Sequence, residues 1–121
     1  TIFTPEQVDE FVDAVSAETP SILSIFAGRI ADTGVDPLPL MAESVKNAAV
    51  KPAAEVLWAS TREVLNIFLA EAVGCQIITV PNAILAKRKN FGKDLLEYSL
   101  DTVKGFASDV QALGFHILPE E

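Results

Sequence analysis

Ser60-Thr61-Arg62 sets two hydroxyls and a guanidinium side by side, a combination suited to holding an anion. The segment after it reads as a helix. Free backbone N–H groups and the positive end of the helix dipole would therefore point to the same place, and the side chains would add charge-assisted donors. Arg29, placed one strand over by the pattern developed below, could complete a phosphate clamp. A plainer reading uses the same residues: Ser60 caps the helix, and Arg62 pairs with Glu63 or another surface acid. Spacing alone leaves both open.

Other residue types carry less. In an extended chain side chains alternate, so Ser24 and Phe26 share one face of their strand, and Val56, Trp58 and Ser60 share one face of another. A serine and a tryptophan directed to a common interior would make a pocket with a polar wall; core packing accounts for Phe26 and Trp58 as well. Asp32 and Asp36 suit turn or capping roles, because no motif brings them together as a base or metal pair. Lys87, Arg88, Lys89 and Lys93 form a basic turn too short for a nucleic-acid surface. His116 sits among apolar residues near the end of the chain and reads as structural. Cys75 lies at a strand start and reads as a small packed hydrophobe. One cysteine and one histidine leave little soft-ligand chemistry for zinc, and no metal or cofactor is expected. No glycine-rich phosphate loop or dinucleotide fingerprint occurs.

The elements that must position these residues follow from pattern. Thr4-Pro5-Glu6-Gln7 is a helix start with the makings of a capping box. Val8, Phe11, Val12 and Val15 then recur at helical spacing, to an end near Glu18. Ser21 to Ala27 is short and rich in β-formers, a buried parallel strand. Gly28 to Pro39 reads as a long loop, followed by a helix through Ala49 that Pro52 closes. Ala54 to Ala59 is another strand, and the helix after it runs from about Arg62 to Val73, ended by Gly74. Cys75 to Val80 is a strand, and Pro81-Asn82 opens a short helix through Ala86. A last helix runs from about Lys93 to Leu113, with Gly114 ending it and Phe115-His116-Ile117-Leu118 as an extended tail. Thr1-Ile2-Phe3 is β-prone and runs straight into the first helix, as if a strand began before Thr1. The alternative is simply a trimmed start. Strand and helix alternate about four times, which means α/β with a parallel sheet and packed helices.

At 121 residues the chain suits a single domain, 1–121, able to bury about two-thirds of its unfolded surface. Half the residues are apolar, too many for a disordered chain. No apolar run approaches the ~20 residues of a membrane helix, so no membrane partner is expected. A net charge of −8 argues against nucleic acid, whose binders carry a basic excess. The lone cysteine fits a reducing, cytoplasmic setting.

Two motifs together are more specific. Phe26-Ala27-Gly28-Arg29-Ile30-Ala31-Asp32 and Ala59-Ser60-Thr61-Arg62-Glu63 resemble the sixth and seventh strand ends of the transaldolase family, including its fructose-6-phosphate aldolase-like branch. Ile2-Phe3-Thr4, the Gly74-Cys75 joint, Ile77-Ile78-Thr79-Val80 and Gly92-Lys93-Asp94-Leu95 add to the likeness, in order, over nearly the whole chain. The resemblance implies a (β/α)8 barrel, which takes ~250 residues. This chain would then be about four βα units, the C-terminal half, beginning inside the fifth strand.

The family's chemistry is cleavage and transfer of a dihydroxyacetone unit of ketose phosphates through a lysine Schiff base, in pentose phosphate and carbohydrate metabolism. The resemblance places that lysine, and the acid/base carboxylates, on strands before Thr1. None of Lys46, Lys51, Lys87, Lys89, Lys93 or Lys104 falls in an expected strand, so no catalytic residue is assigned and the chain alone is expected to be inactive. What carries over is the binding half. Arg29, Ser60 and Arg62 match positions that hold the sugar phosphate, and Ser24 and Phe26 match positions lining the reacting carbonyl, beside Trp58. Phe26 stands where fructose-6-phosphate aldolases carry Tyr, which leans toward transaldolase or another subgroup of the family. The expected partners are a sugar phosphate or inorganic phosphate, with either a second copy in half-barrel pairing or the missing N-terminal half. A non-catalytic half-barrel that only binds phosphate or serves as structure is the alternative. A complete small enzyme of unrelated chemistry is weakest, since no nucleophile–base pair is visible.

Overall fold

Thr4 opens the first helix as its side chain dictates. Its hydroxyl accepts from the Gln7 amide at 3.3 Å, and Gln7 Oε1 accepts from the amides of Thr4 at 3.1 Å and Phe3 at 2.8 Å, a closed capping box. In the computed structural model, which describes residues 1–113, this helix, α1, spans Pro5–Ala14. It stops short of Glu18 because Lys51 reaches its C-terminal end: Nζ donates to the carbonyls of Asp13 at 3.3 Å and Val15 at 2.5 Å. A cation there satisfies orphan carbonyls and complements the dipole.

Three parallel strands follow in chain order, β1 (Ser21–Ile25), β2 (Ala54–Trp58) and β3 (Ile77–Ile78), with sheet order β1-β2-β3. Ile2 adds a single parallel bridge to Ile25, through bonds from Ile2 N to Ser24 O and from Phe26 N to Ile2 O, each 3.0 Å. Successive strands are thus spatial neighbours. The strand expected at Thr1-Ile2-Phe3 is only that bridge. β3 is short because Gln76 finishes the ladder another way: its amide donates to Val56 O at 3.2 Å while its Oε1 accepts from Val56 N at 2.8 Å.

Helices α2 (Ala27–Ala31), α3 (Leu38–Ala48), α4 (Leu65–Val73), α5 (Asn82–Leu85) and α6 (Leu95–Leu113) complete the described elements, with a 3₁₀ turn over Ala86–Asn90. α2 occupies what reads in sequence as loop. Ala27, Arg29 and Ala31 are good helix formers, and Ile30 N to Phe26 O at 3.1 Å and Asp32 N to Gly28 O at 3.0 Å close its turns. α4 ends on Gly74 at φ +90°, the left-handed cap a glycine supplies.

The register decides which side of the sheet is core. Leu23 pairs with Val56 and Ile25 with Trp58, while Ile22 pairs with Glu55 and Ser24 with Leu57. Leu23, Ile25, Val56 and Trp58 are fully buried, in one cluster with Val8 and Val12 of α1, Met41 and Ala48 of α3, and Ala70 of α4. Ile22 on the other face is 51% exposed. Trp58 and Val56 therefore do not share a face with Ser24 and Phe26, which corrects the common interior expected from alternation. A one-residue difference in register inverts every side chain, and Val56-Leu57-Trp58 is apolar at three successive positions, so periodicity could not choose.

The chain divides into two compact units, Thr1–Arg88 and Lys89–Glu121. All the strands among the described residues lie in the first. In the second, the start of α6 is held by Lys93 Nζ to Asp101 Oδ2 at 2.8 Å and by Glu97 N to Asp94 Oδ2 at 3.3 Å. Leu95, Leu96, Leu100, Val103 and Phe106 of α6 are exposed. The expected stop at Gly114 and the tail with His116 lie outside the described residues. Among those described, no helix is long and apolar enough to cross a membrane.

Candidate anion site at the ends of the first two strands

β1 and β2 are hydrogen-bonded neighbours, so the loops leaving their C-terminal ends meet. Gly28 makes the meeting possible. Its amide donates to Ala59 O at 3.3 Å, and a Cβ at this position would overlap the Ser60 carbonyl oxygen and crowd the Ser60 carbonyl carbon at 2.6 Å. Only a residue without a side chain lets the Arg29 segment lie against the Ser60 segment.

Ser60 adopts φ +63°, the one non-glycine left-handed residue among those described. Such a conformation costs on the order of 1–3 kcal/mol and persists only where the surroundings impose it. Here they do so on both sides. Thr61 is buried, and its Oγ1 donates to Thr79 O at 2.6 Å, tying the end of β2 to the end of β3. Asn66 Oδ1 accepts from the amides of Arg62 and Glu63, each at 3.0 Å.

These contacts revise the expected donor set. The helix begins at Leu65 with Val64 as its cap residue and no side-chain cap, so Ser60 does not cap it. The Thr61 hydroxyl and the Arg62 and Glu63 amides are already engaged. Among the described residues, the Ser60 hydroxyl and the Ser60 and Thr61 amides donate to no protein acceptor. The left-handed turn at Ser60 also explains why this half-exposed serine parts from buried Trp58, although the two lie two residues apart.

Arg62 reaches across to α2, where its guanidinium donates to Asp32 Oδ2 at 2.9 Å with both side chains about half exposed. The surface acid anticipated for Arg62 is thus Asp32, thirty residues away, not Glu63. One contact leaves most of the guanidinium's donors available. Asp32 is held below its ordinary carboxylate value, first by the hydrogen bond from Arg62 and also by the charges of Arg62 and Arg29. Arg62 is raised in turn by Asp32. Arg29 is exposed, and its guanidinium lies over the Phe26 ring, 5.8 Å from the centroid. Phe26 is packed against Phe3 with centroids 5.7 Å apart.

The depressed Asp32 value sets the sign of a pH effect. The pair's contribution is complete above the ordinary carboxylate value of 3.8 and is lost as pH falls through the lower folded-state value. Carboxyl NMR titration should give Asp32 a midpoint below 3.8 in the wild type, moved upward in Arg62→Ala. A midpoint indifferent to that substitution contradicts the pairing.

The remaining candidates separate from this cluster. Ser24 is half-buried on the open sheet face, paired with Leu57. Trp58 lies on the opposite, helix-covered face. Asp36 serves as a turn residue, its Oδ1 accepting from Leu38 N at 3.0 Å. Burial pushes the Cys75 thiol up to about 11, which keeps it a protonated packing residue. Lys46 and Lys104 lie in helices, Lys87 and Lys89 in the 3₁₀ turn, and Lys51 and Lys93 outside any strand. Among the described residues no group of His, Cys, Asp and Glu could hold a metal ion.

Sequence reasoning missed Asn66 as a member of the cluster and Asp32 as the partner of Arg62. Asp32 could be found only by knowing that β1 and β2 are adjacent. Asn66 was legible in principle, as an acceptor three and four residues past two otherwise free amides. A family model described as transaldolase/fructose-6-phosphate aldolase matches residues 1–117. No curated protein matches the chain significantly.

Proposed function

Since this chain belongs to the transaldolase/fructose-6-phosphate aldolase family, we propose that it supplies the sugar-phosphate-binding part of a transaldolase-like (β/α)8 barrel, with the phosphate held by Arg29, Ser60 and Arg62. The observation that carries this reading is the contact of Gly28 with Ser60. It sets the Arg29 segment against a strained serine whose hydroxyl and amide are unengaged. An anion there would accept from the Ser60 hydroxyl, the Ser60 and Thr61 amides and the free edge of Arg62, with Arg29 closing from α2. Ser24 and Phe26 would face the reacting carbonyl; Trp58 is left out because it belongs to the helix-covered core.

The Schiff base then falls to a lysine that this chain does not present on a strand, and the chain alone is inactive. The second reading, a non-catalytic phosphate-binding half-barrel, rests on the same placement of the lysines. One experiment with two arms tests both parts. In calorimetric titration with inorganic phosphate, Arg62→Ala should weaken binding roughly ten- to a hundredfold, as loss of a charge-assisted donor does; unchanged affinity defeats the site. In borohydride trapping with a ketose phosphate, no lysine adduct should appear; a stoichiometric adduct refutes the inactivity.

We further propose that the chain associates, with a second copy or with an N-terminal half-barrel. The open face around Ile22 and the sheet edges at Ile2 and β3 lack neighbours in the described residues, and open edges seek partners. Sedimentation at micromolar concentration should show a species larger than 13.0 kDa; a clean species of that mass overturns the self-association.

A further inference from the structure

The segment 60–64 carries most of the proposed phosphate donors, yet no residue before α4 caps the helix that follows. Val64 occupies the cap position and offers no side-chain acceptor. The work is done from inside the helix. Asn66, in the first turn of α4, turns its carboxamide oxygen back to the amides of Arg62 and Glu63, both at 3.0 Å. Two consecutive peptide planes are thereby fixed by a single acceptor, and one of them is the plane from which the Arg62 side chain departs. Asn66 N also donates nowhere outside this turn: its partner is Glu63 O at 3.1 Å. The two amides that would otherwise attract an anion to Arg62 and Glu63 are filled by a neutral group. The amides left unengaged in this segment are those of Ser60, Thr61 and Val64.

We propose that Asn66 is a positioning residue of the phosphate site: it orients the Arg62 peptide and, by occupying the Arg62 and Glu63 amides, directs the anion to the Ser60–Thr61 amides. The inference rests on the proposed phosphate-binding function. Asn66 touches no ligand in this account and acts through the loop alone. Removing its acceptor frees the loop to sample other turns, and Arg62 must then be ordered at the expense of binding.

Phosphate titration and amide hydrogen exchange on the whole chain test this with two variants. Asn66→Ala should weaken phosphate binding about tenfold and speed exchange at the Arg62 and Glu63 amides, with exchange in β1 and β2 unchanged. Asn66→Asp keeps the acceptor but adds a negative charge that opposes an anion, so restored protection and tighter binding than Asn66→Ala isolate the positioning role. Equal binding by the wild type and Asn66→Ala, with Arg62→Ala still weakened, overturns this inference and leaves the phosphate site standing. An Asp variant with protected amides that binds no better than the Ala variant also overturns it. A wild-type chain that binds no phosphate overturns the site and the inference together.

Discussion

Replacing Trp58 by alanine should lower the stability of the Thr1–Arg88 unit by about 3–5 kcal/mol, the range for truncating a large buried aromatic. Trp58 is 1% exposed and stands at the end of β2 beside Ile25, within the cluster that joins the sheet to α1, α3 and α4. No neighbouring side chain has spare length to fill the space, since Leu23, Ile25, Val56 and Met41 around the same core are themselves fully buried. Trp58→Phe should behave differently. The indole Nε1 is buried with no hydrogen-bond partner, so the tryptophan carries the cost of an unsatisfied donor. Phenylalanine gives up volume but removes that penalty, and the loss should stay under about 1.5 kcal/mol. Urea unfolding followed by circular dichroism checks both, because the substitutions remove the only tryptophan fluorophore. An alanine variant within about 1 kcal/mol of wild type would mean that Trp58 is not core.

Gly28→Ala should cost about 3 kcal/mol, the upper end for overpacking, and should abolish measurable phosphate binding as well. The obstacle is backbone. The added methyl would overlap the Ser60 carbonyl and sit 2.9 Å from Ser60 Cβ, and neither can rotate away without moving the end of β2. Relief would pull Ser60 out of its left-handed turn and break the bond from Gly28 N to Ala59 O. Gly105→Ala provides the contrast. Gly105 lies in α6 with nothing within 4 Å of an added Cβ, so there the same substitution should favour the helix by ~0.8–1.0 kcal/mol. Urea unfolding of the two variants, with phosphate titration, separates crowding at one glycine from a general effect of Gly→Ala. If Gly28→Ala unfolds with the wild type and binds phosphate as tightly, the two loops do not touch as described.

What could be read from the sequence was mostly local. The Thr4 capping box, the Gly74 stop, the alternation of strands and helices and the residue types at the strand ends all depend on near neighbours. So does the proposed clustering of Arg29, Ser60 and Arg62, once β1 and β2 are taken as adjacent. What failed depended on register or on contacts distant in sequence. Alternation cannot place Trp58 on its face because Val56, Leu57 and Trp58 are apolar in succession, and the structure puts it under the helices. Ser60 has the residue type of a helix cap, whereas the chain turns left-handed there and Asn66, from inside α4, engages the amides of Arg62 and Glu63. Thr61, read as a surface donor, is drawn inward by a carbonyl on β3. The expected loop after β1 hid α2, whose five residues are too few for a periodic signal. Lys51 at the end of α1 and Asp32 against Arg62 are pairings across more than twenty-five positions, with no local signature.

The central claim is that an anion is held where the loops after β1 and β2 meet. Chemical-shift mapping of the backbone amides during titration with inorganic phosphate tests it most directly. Saturable shifts are predicted at Gly28, Arg29, Ser60 and Thr61, with the Arg62 and Glu63 amides keeping their bonds to Asn66. Shifts confined to the basic turn of Lys87, Arg88 and Lys89, with Ser60 and Thr61 unmoved at saturation, would contradict the account.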